Sequence, residues 1–204
     1  MKLKEGLNYP VIVVDVQPAY DNPINYKIME FVNKQTGPVL MYINADDTGL
    51  TDDTKGTVKQ YWEEHLSSFD NYDDDEEYYS DAVDWSRFQI IDKGYGYLRS
   101  WMDSGISEST IIATIREMYA QQVYDSRDLE FPSDNLTSTE TNIIDAIEEM
   151  DGDNISVNWV SIKQLRKFNG AYIVGGGRNE CLREVELMMN AFNIKYKRIN
   201  SLVY

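Results

Sequence analysis

The apolar residues of this chain are grouped in two ways along its length. Short continuous runs read as strands buried on both faces, and longer stretches with apolar residues three and four apart read as helices. The clearest strand lies in YPVIVVDVQ, residues 9–17, where Pro10 opens a β-branched run from Val11 to Val14. The next stretch, 24–34, carries Ile24, Ile28, Phe31 and Val32 on one side, a helical spacing, and Thr36-Gly37-Pro38 ends it. PVLMYIN, 38–44, is a second strand. The chain therefore opens β-α-β, and a parallel pairing follows from that order.

After a polar loop at 45–56, TVKQYWEEHL reads as a short helix and RFQIID, 87–92, as a third strand. Residues 97–105 form a short helix stopped by Gly105, and Ser107 caps a helix over about 108–123. Thr139 is read as the cap of another helix, ended by Asp151-Gly152. No clear strand follows these helices at once, so 97 to about 153 reads as a helical insertion. ISVNWVS, 155–161, alternates as a strand does, and IKQLRKF reads as a short helix stopped by Asn169-Gly170. AYIVGGGRNECLREVELMMNAF, 171–192, is a strand, a glycine turn and an amphipathic helix, and IKYKRINSLVY supplies a last strand. The pattern predicts an α/β fold: a doubly wound, mostly parallel sheet with helices on both faces, a Rossmann-like three-layer arrangement. It predicts one domain over 1–204, with an acidic-loop insertion at about 45–86 and the helical one at 97–153.

Composition narrows the functional classes. The chain has 204 residues, 42% hydrophobic, enough for a full core, and no apolar run approaches the ~20 residues of a membrane span. The opening MKLKEGLNYP lacks the apolar segment of a signal peptide. A net charge of −16 argues against nucleic acid and against anionic membranes as partners. Residues 70–84 alone carry eight acids and no base, the composition of a solvated loop, with Tyr72, Tyr78 and Tyr79 available for protein contact. One cysteine permits no intrachain disulfide and fits a cytoplasmic location. One histidine, His65 on a surface helix, excludes multi-histidine metal sites. Asp46 and Asp47 follow the second strand, at the edge where a cation would sit, but such spacing is common in plain loops; no metal and no cofactor are expected.

Three residues at carboxyl ends of predicted parallel strands share a chemistry: Asp15 after the first, Lys93 after the third and Cys181 after the glycine turn. Such ends converge on one edge of a doubly wound sheet, where ligands bind. A carboxylate can take a thiol proton, an ammonium can hold charge, and a thiolate at a helix N-terminus can attack an electrophilic carbon. Backbone N–H groups from Gly177 to Cys181 are placed to stabilise an oxyanion. Each residue has a plainer reading: Asp15 as a turn cap, Lys93 as a solvent lysine, Cys181 as a small core residue. GGGR at the helix start also admits a phosphate or nucleotide binder, although it lacks both the Rossmann and the P-loop spacing.

In these residues the chain resembles the isochorismatase-like cysteine hydrolases. VIVVDVQPAY matches the family's Asp-x-Gln signature at the end of the first strand, Lys93 in IIDKGYG matches its lysine, and Cys181 in YIVGGGRNEC matches its nucleophile, six residues after Gly175. The resemblance covers mainly 9–44, 88–98 and 162–200. It implies an Asp15-Lys93-Cys181 triad and an oxyanion and substrate loop of Gly176 and Gly177 with Gln17, including a cis peptide at Gly176-Gly177. It further implies hydrolysis of a small amide or a related C–N or vinyl-ether substrate, and a homo-oligomer. An inactive binding or regulatory protein on the same fold, engaging a protein partner through the acidic insertion, is the alternative.

Overall fold

The computed structural model describes residues 8–44, 50–67, 83–132 and 134–204. Asp46, Asp47 and most of the acidic run lie outside the described residues. The chain separates into two compact units: Met1–Lys93 with Phe168–Leu182 and Tyr196–Tyr204, and Gly94–Lys167 with Arg183–Lys195. The helical insertion read at 97–153 falls entirely in the second.

The first unit is built on five parallel strands: β1 (Val11–Val14), β2 (Val39–Ile43), β3 (Phe88–Asp92), β6 (Ala171–Gly175) and β7 (Tyr196–Val203), in the order β3-β2-β1-β6-β7. The continuous apolar runs behave as their composition requires, and every residue of β1 and β2 is buried. On one face Val11, Val13, Val39 and Met41 pack with Ile28 and Val32 of α1 (Asn25–Asn33) and Val58 and Trp62 of α2 (Asp52–Ser67). Trp62 also donates its indole N–H to the Val16 carbonyl at 2.9 Å, tying α2 to the turn after β1. The crossovers β1-α1-β2-α2-β3 step one way from the centre, and the β6-to-β7 crossover steps the other way. This is the doubly wound α/β arrangement the sequence predicts, and the winding reverses between β1 and β6. The carboxyl ends of those two strands are therefore the switch point of the sheet.

The second unit holds α3 (Leu98–Asp103), α4 (Glu108–Gln121), α5 (Ser138–Glu149), α6 (Trp159–Leu165) and most of α7 (Cys181–Ala191). Ser107 caps α4 as expected, its side chain accepting from the Thr110 N–H. The cap of α5 is Thr137 rather than Thr139, because Glu140 three residues on returns a bond to the Thr137 N–H and completes a capping box. Tyr119, Trp159 and Phe192 form an edge-to-face cluster with centroids 5.3–6.3 Å apart, over which the Arg166 guanidinium stacks.

The strand expected over 155–161 is two residues long. β5 (Ser156–Val157) pairs antiparallel with β4 (Tyr95–Gly96), outside the main sheet. The Asn158 side chain then accepts from the Val160 N–H and starts α6, which buries Trp159, Ile162 and Leu165 at helical spacing.

The contact that fixes the switch point is a backbone approach of β6 to β1. Gly175 has φ 115°, and a Cβ there would clash with the Val14 carbonyl oxygen. Gly175→Ala is expected to lower stability by at least about 2 kcal/mol, the scale of a forced backbone conformation with a clash. Chemical denaturation measures it, and an unchanged midpoint would contradict the close approach.

Candidate functional site

Asp15 is the first residue beyond β1, and its backbone is left-handed, with φ 53°. Aspartate is among the few residues that tolerate this region, and even so the conformation is held by its neighbours. The Asp15 N–H donates to the Tyr42 carbonyl at 2.9 Å, and the Asp15 carbonyl accepts from the Tyr204 hydroxyl at 3.0 Å. The side chain is 3% exposed.

Lys93 stands just beyond β3, on the same edge. Its Nζ lies 3.9 Å from Asp15 Oδ2, and the residue is 9% exposed, so it is not a solvent lysine. Cys181 is the first residue of α7 and is half-buried rather than part of the core. Its thiol and the Asn44 N–H both approach the Asp15 carboxylate closely enough to favour its charged form. Neither closes a hydrogen bond of regular geometry, and both carboxylate oxygens are buried without one. The three residues expected at one sheet edge are thus brought together there.

Asp15 and Cys181 line a cleft of about 370 Å³ with Tyr20, Gly176, Gly177, Arg178, Asn179, Glu180 and Tyr204. Its volume suits a small molecule. Gly176 lies under the Tyr204 ring, which a Cβ would strike. The loop spends part of its hydrogen-bonding capacity internally: the Arg178 N–H donates to the Tyr204 carbonyl at 2.7 Å, and the Glu180 and Leu182 N–H groups both donate to the Gly177 carbonyl. The Arg178, Glu180 and Leu182 N–H groups are therefore already committed within the protein. The implied cis peptide at Gly176-Gly177 is not there, since every peptide bond among the described residues is trans.

Gln17 has a different position from the one expected of it. Its side-chain amide donates to the Asn44 carbonyl at 3.1 Å and its Oε1 accepts from the Asn44 N–H at 2.9 Å. It clamps the ends of β1 and β2 together and does not line the cleft. Asn44 also donates from its side chain to the Tyr20 hydroxyl, at 2.8 Å; the motif reading missed the cleft residues Tyr20 and Tyr204, and Asn44, which supports Tyr20 without lining the cleft. Asn44 was findable from its place at a strand carboxyl end; the two tyrosines carry no such signal. His65 packs on the Tyr61 ring at 4.1 Å and is not a cleft residue.

Burial is the largest influence on Asp15 and raises its pKa above the ordinary carboxylate value. The nearby Lys93 ammonium opposes that most strongly, then the Cys181 thiol and the Asn44 N–H, while Asp92 adds to the rise. An acid raised in this way is a better proton acceptor than an ordinary aspartate. Tyr204 is pushed up first by burial and then by the Asp15 charge, so its hydroxyl stays protonated and can keep donating.

No family model, no curated protein and no solved structure matches the chain. Among the described residues, no helix is long and apolar enough to cross a membrane.

The raised Asp15 pKa has a consequence for stability. The fold favours the protonated acid, so this contribution is complete below the unfolded value of 3.8 and is lost as pH rises through the higher folded value. The wild type should therefore gain stability relative to Asp15→Asn as pH falls from 7 toward 4, with a constant difference at higher pH. Paired denaturation curves across that range measure it, and a difference independent of pH would contradict the buried, raised acid.

Proposed function

We propose that the chain is a cysteine-dependent hydrolase of the isochorismatase-like kind, acting on a small amide or a related C–N or vinyl-ether substrate. The observation that carries this reading is the buried Asp15 carboxylate, open in its hydrogen bonding and facing a small cleft beside the Cys181 thiol, with Lys93 behind it. Asp15 takes the thiol proton as Cys181 attacks the carbonyl carbon of an amide. The carbonyl oxygen gains the negative charge, and N–H groups of the turn that begins α7 stabilise it. The oxygen re-forms its double bond, the amine leaves with the proton held by Asp15, and a thioester remains. Water, deprotonated by Asp15, then attacks the thioester; the acid leaves and the thiol recovers its proton. Lys93 keeps the region near neutral while charge moves, and the helix N-terminus favours the thiolate. A reduced thiol is needed throughout, which fits a cytoplasmic setting.

The decisive measurement is the pH dependence of Cys181 alkylation by iodoacetamide in the folded protein, followed by a screen of small neutral amides. A midpoint well below the ~8.5 of an ordinary thiol is expected. Cys181→Ala should abolish turnover while changing the melting temperature little, because only a half-buried sulfur is lost. Slow alkylation that requires unfolding would refute the nucleophile and leave a binding role on the same fold.

A further inference from the structure

We propose that Tyr204 is a positioning residue: its hydroxyl, bonded to the Asp15 carbonyl, holds Asp15 in the left-handed conformation that directs the carboxylate to Cys181. This inference rests on the cysteine-hydrolase reading of the site.

Four observations bear on it. Asp15 is not glycine, yet its φ is 53°, a conformation that persists only where surrounding contacts over-determine it. The peptide on the N-terminal side of Asp15 is held by the sheet, since the Asp15 N–H reaches the Tyr42 carbonyl and the Val14 carbonyl accepts from the Gly176 N–H at 2.8 Å. The peptide on the C-terminal side has left the sheet, and its carbonyl is held by the Tyr204 hydroxyl. Tyr204 is itself fixed at both ends. Its carbonyl accepts from the Arg178 N–H, and its ring lies over Gly176, where no side chain would leave it room.

The consequence is a link between two parts of the cleft. The same tyrosine touches the loop that leads into Cys181 and the backbone of the residue that takes the thiol proton. The two reacting groups are thereby kept in register by a hydroxyl bonded to the Asp15 backbone. Without it, the Asp15 carbonyl loses its partner and the φ angle can relax toward the ordinary range. The carboxylate would then move away from Cys181 while the sheet remains intact.

The test compares iodoacetamide alkylation of Cys181 from pH 5 to 10 in the wild type, Asp15→Asn, Tyr204→Phe and Val32→Ala. Val32→Ala, in the core beneath the sheet, is a control for lost stability without change at the site. Tyr204→Phe is expected to raise the alkylation midpoint toward that of Asp15→Asn and to slow alkylation at pH 7 about fivefold, the worth of one ordinary hydrogen bond. Val32→Ala should leave the midpoint unchanged. Gly176→Ala displaces the Tyr204 ring while keeping its hydroxyl, and should shift the midpoint in the same direction. It gives the reading should Tyr204→Phe fail to fold. If Asp15→Asn moves the midpoint and Tyr204→Phe does not, the role of Tyr204 is refuted and the hydrolase reading stands. Equal shifts in Tyr204→Phe and Val32→Ala would also refute it, because lost stability would then account for both. If Asp15→Asn itself leaves the midpoint unmoved, the dyad fails and this inference fails with it.

Discussion

The site depends on how closely the backbone of β6 can approach the backbone of β1 at their carboxyl ends. Gly175 permits it, with no Cβ to strike the Val14 carbonyl, and the Gly176 N–H then bonds that same carbonyl. From that contact the rest of the geometry follows. Asp15 is the next residue along β1, and Cys181 lies six residues along from Gly175, at the start of α7. The switch point of a doubly wound sheet is a general place for ligands. Here the local glycine chemistry makes it a place where an acid and a thiol meet.

The second constraint is electrostatic. Asp15 is removed from water without a regular hydrogen bond, and the nearby ammonium of Lys93 does not compensate fully, so the acid remains harder to ionise than usual. Neighbours that optimised stability would close hydrogen bonds on both carboxylate oxygens. That would lower the pKa and make a poor base. Under the proposed function the arrangement would give up some stability for an acceptor of raised basicity, the expected direction at reactive sites. Lys93 makes a buried negative charge on Asp15 more tolerable, and its own burial favours that charge beside it.

Much of this fold was legible in the sequence, and the reason is physical. Strands buried on both faces must be continuously apolar, so Val11–Val14, Val39–Ile43 and the 171–174 run declare themselves without an alignment. Helix ends depend on single side chains and are less visible: Thr137 outcompetes Thr139 because of one glutamate, and Asn158 turns an alternating segment into a helix start. The proximity of Asp15, Lys93 and Cys181 was legible because strand ends converge in this topology. Gln17 was misplaced because its amide finds a complete partner in the Asn44 backbone, a contact between residues 27 apart that no local pattern encodes. Tyr20 and Tyr204 were missed for the same reason, since tertiary proximity alone gives them their roles.

The walls of the cleft also separate the chemical classes that the sequence left open. A phosphate site at a helix N-terminus needs several unspent N–H groups and a surplus of positive charge. Here the Arg178 and Glu180 N–H groups are committed within the protein, and the Arg178 side chain shares the wall with the Glu180 and Asp15 side chains. With Lys93 beside Asp15 the local charges roughly balance, in a chain whose net charge is −16. A dianionic ligand gains little there. A neutral amide, the substrate proposed above, has no charge to desolvate or to repel, and it would meet the proposed base and nucleophile on the same side. The charge balance of the cleft therefore fits the proposed neutral substrate better than it fits a nucleotide.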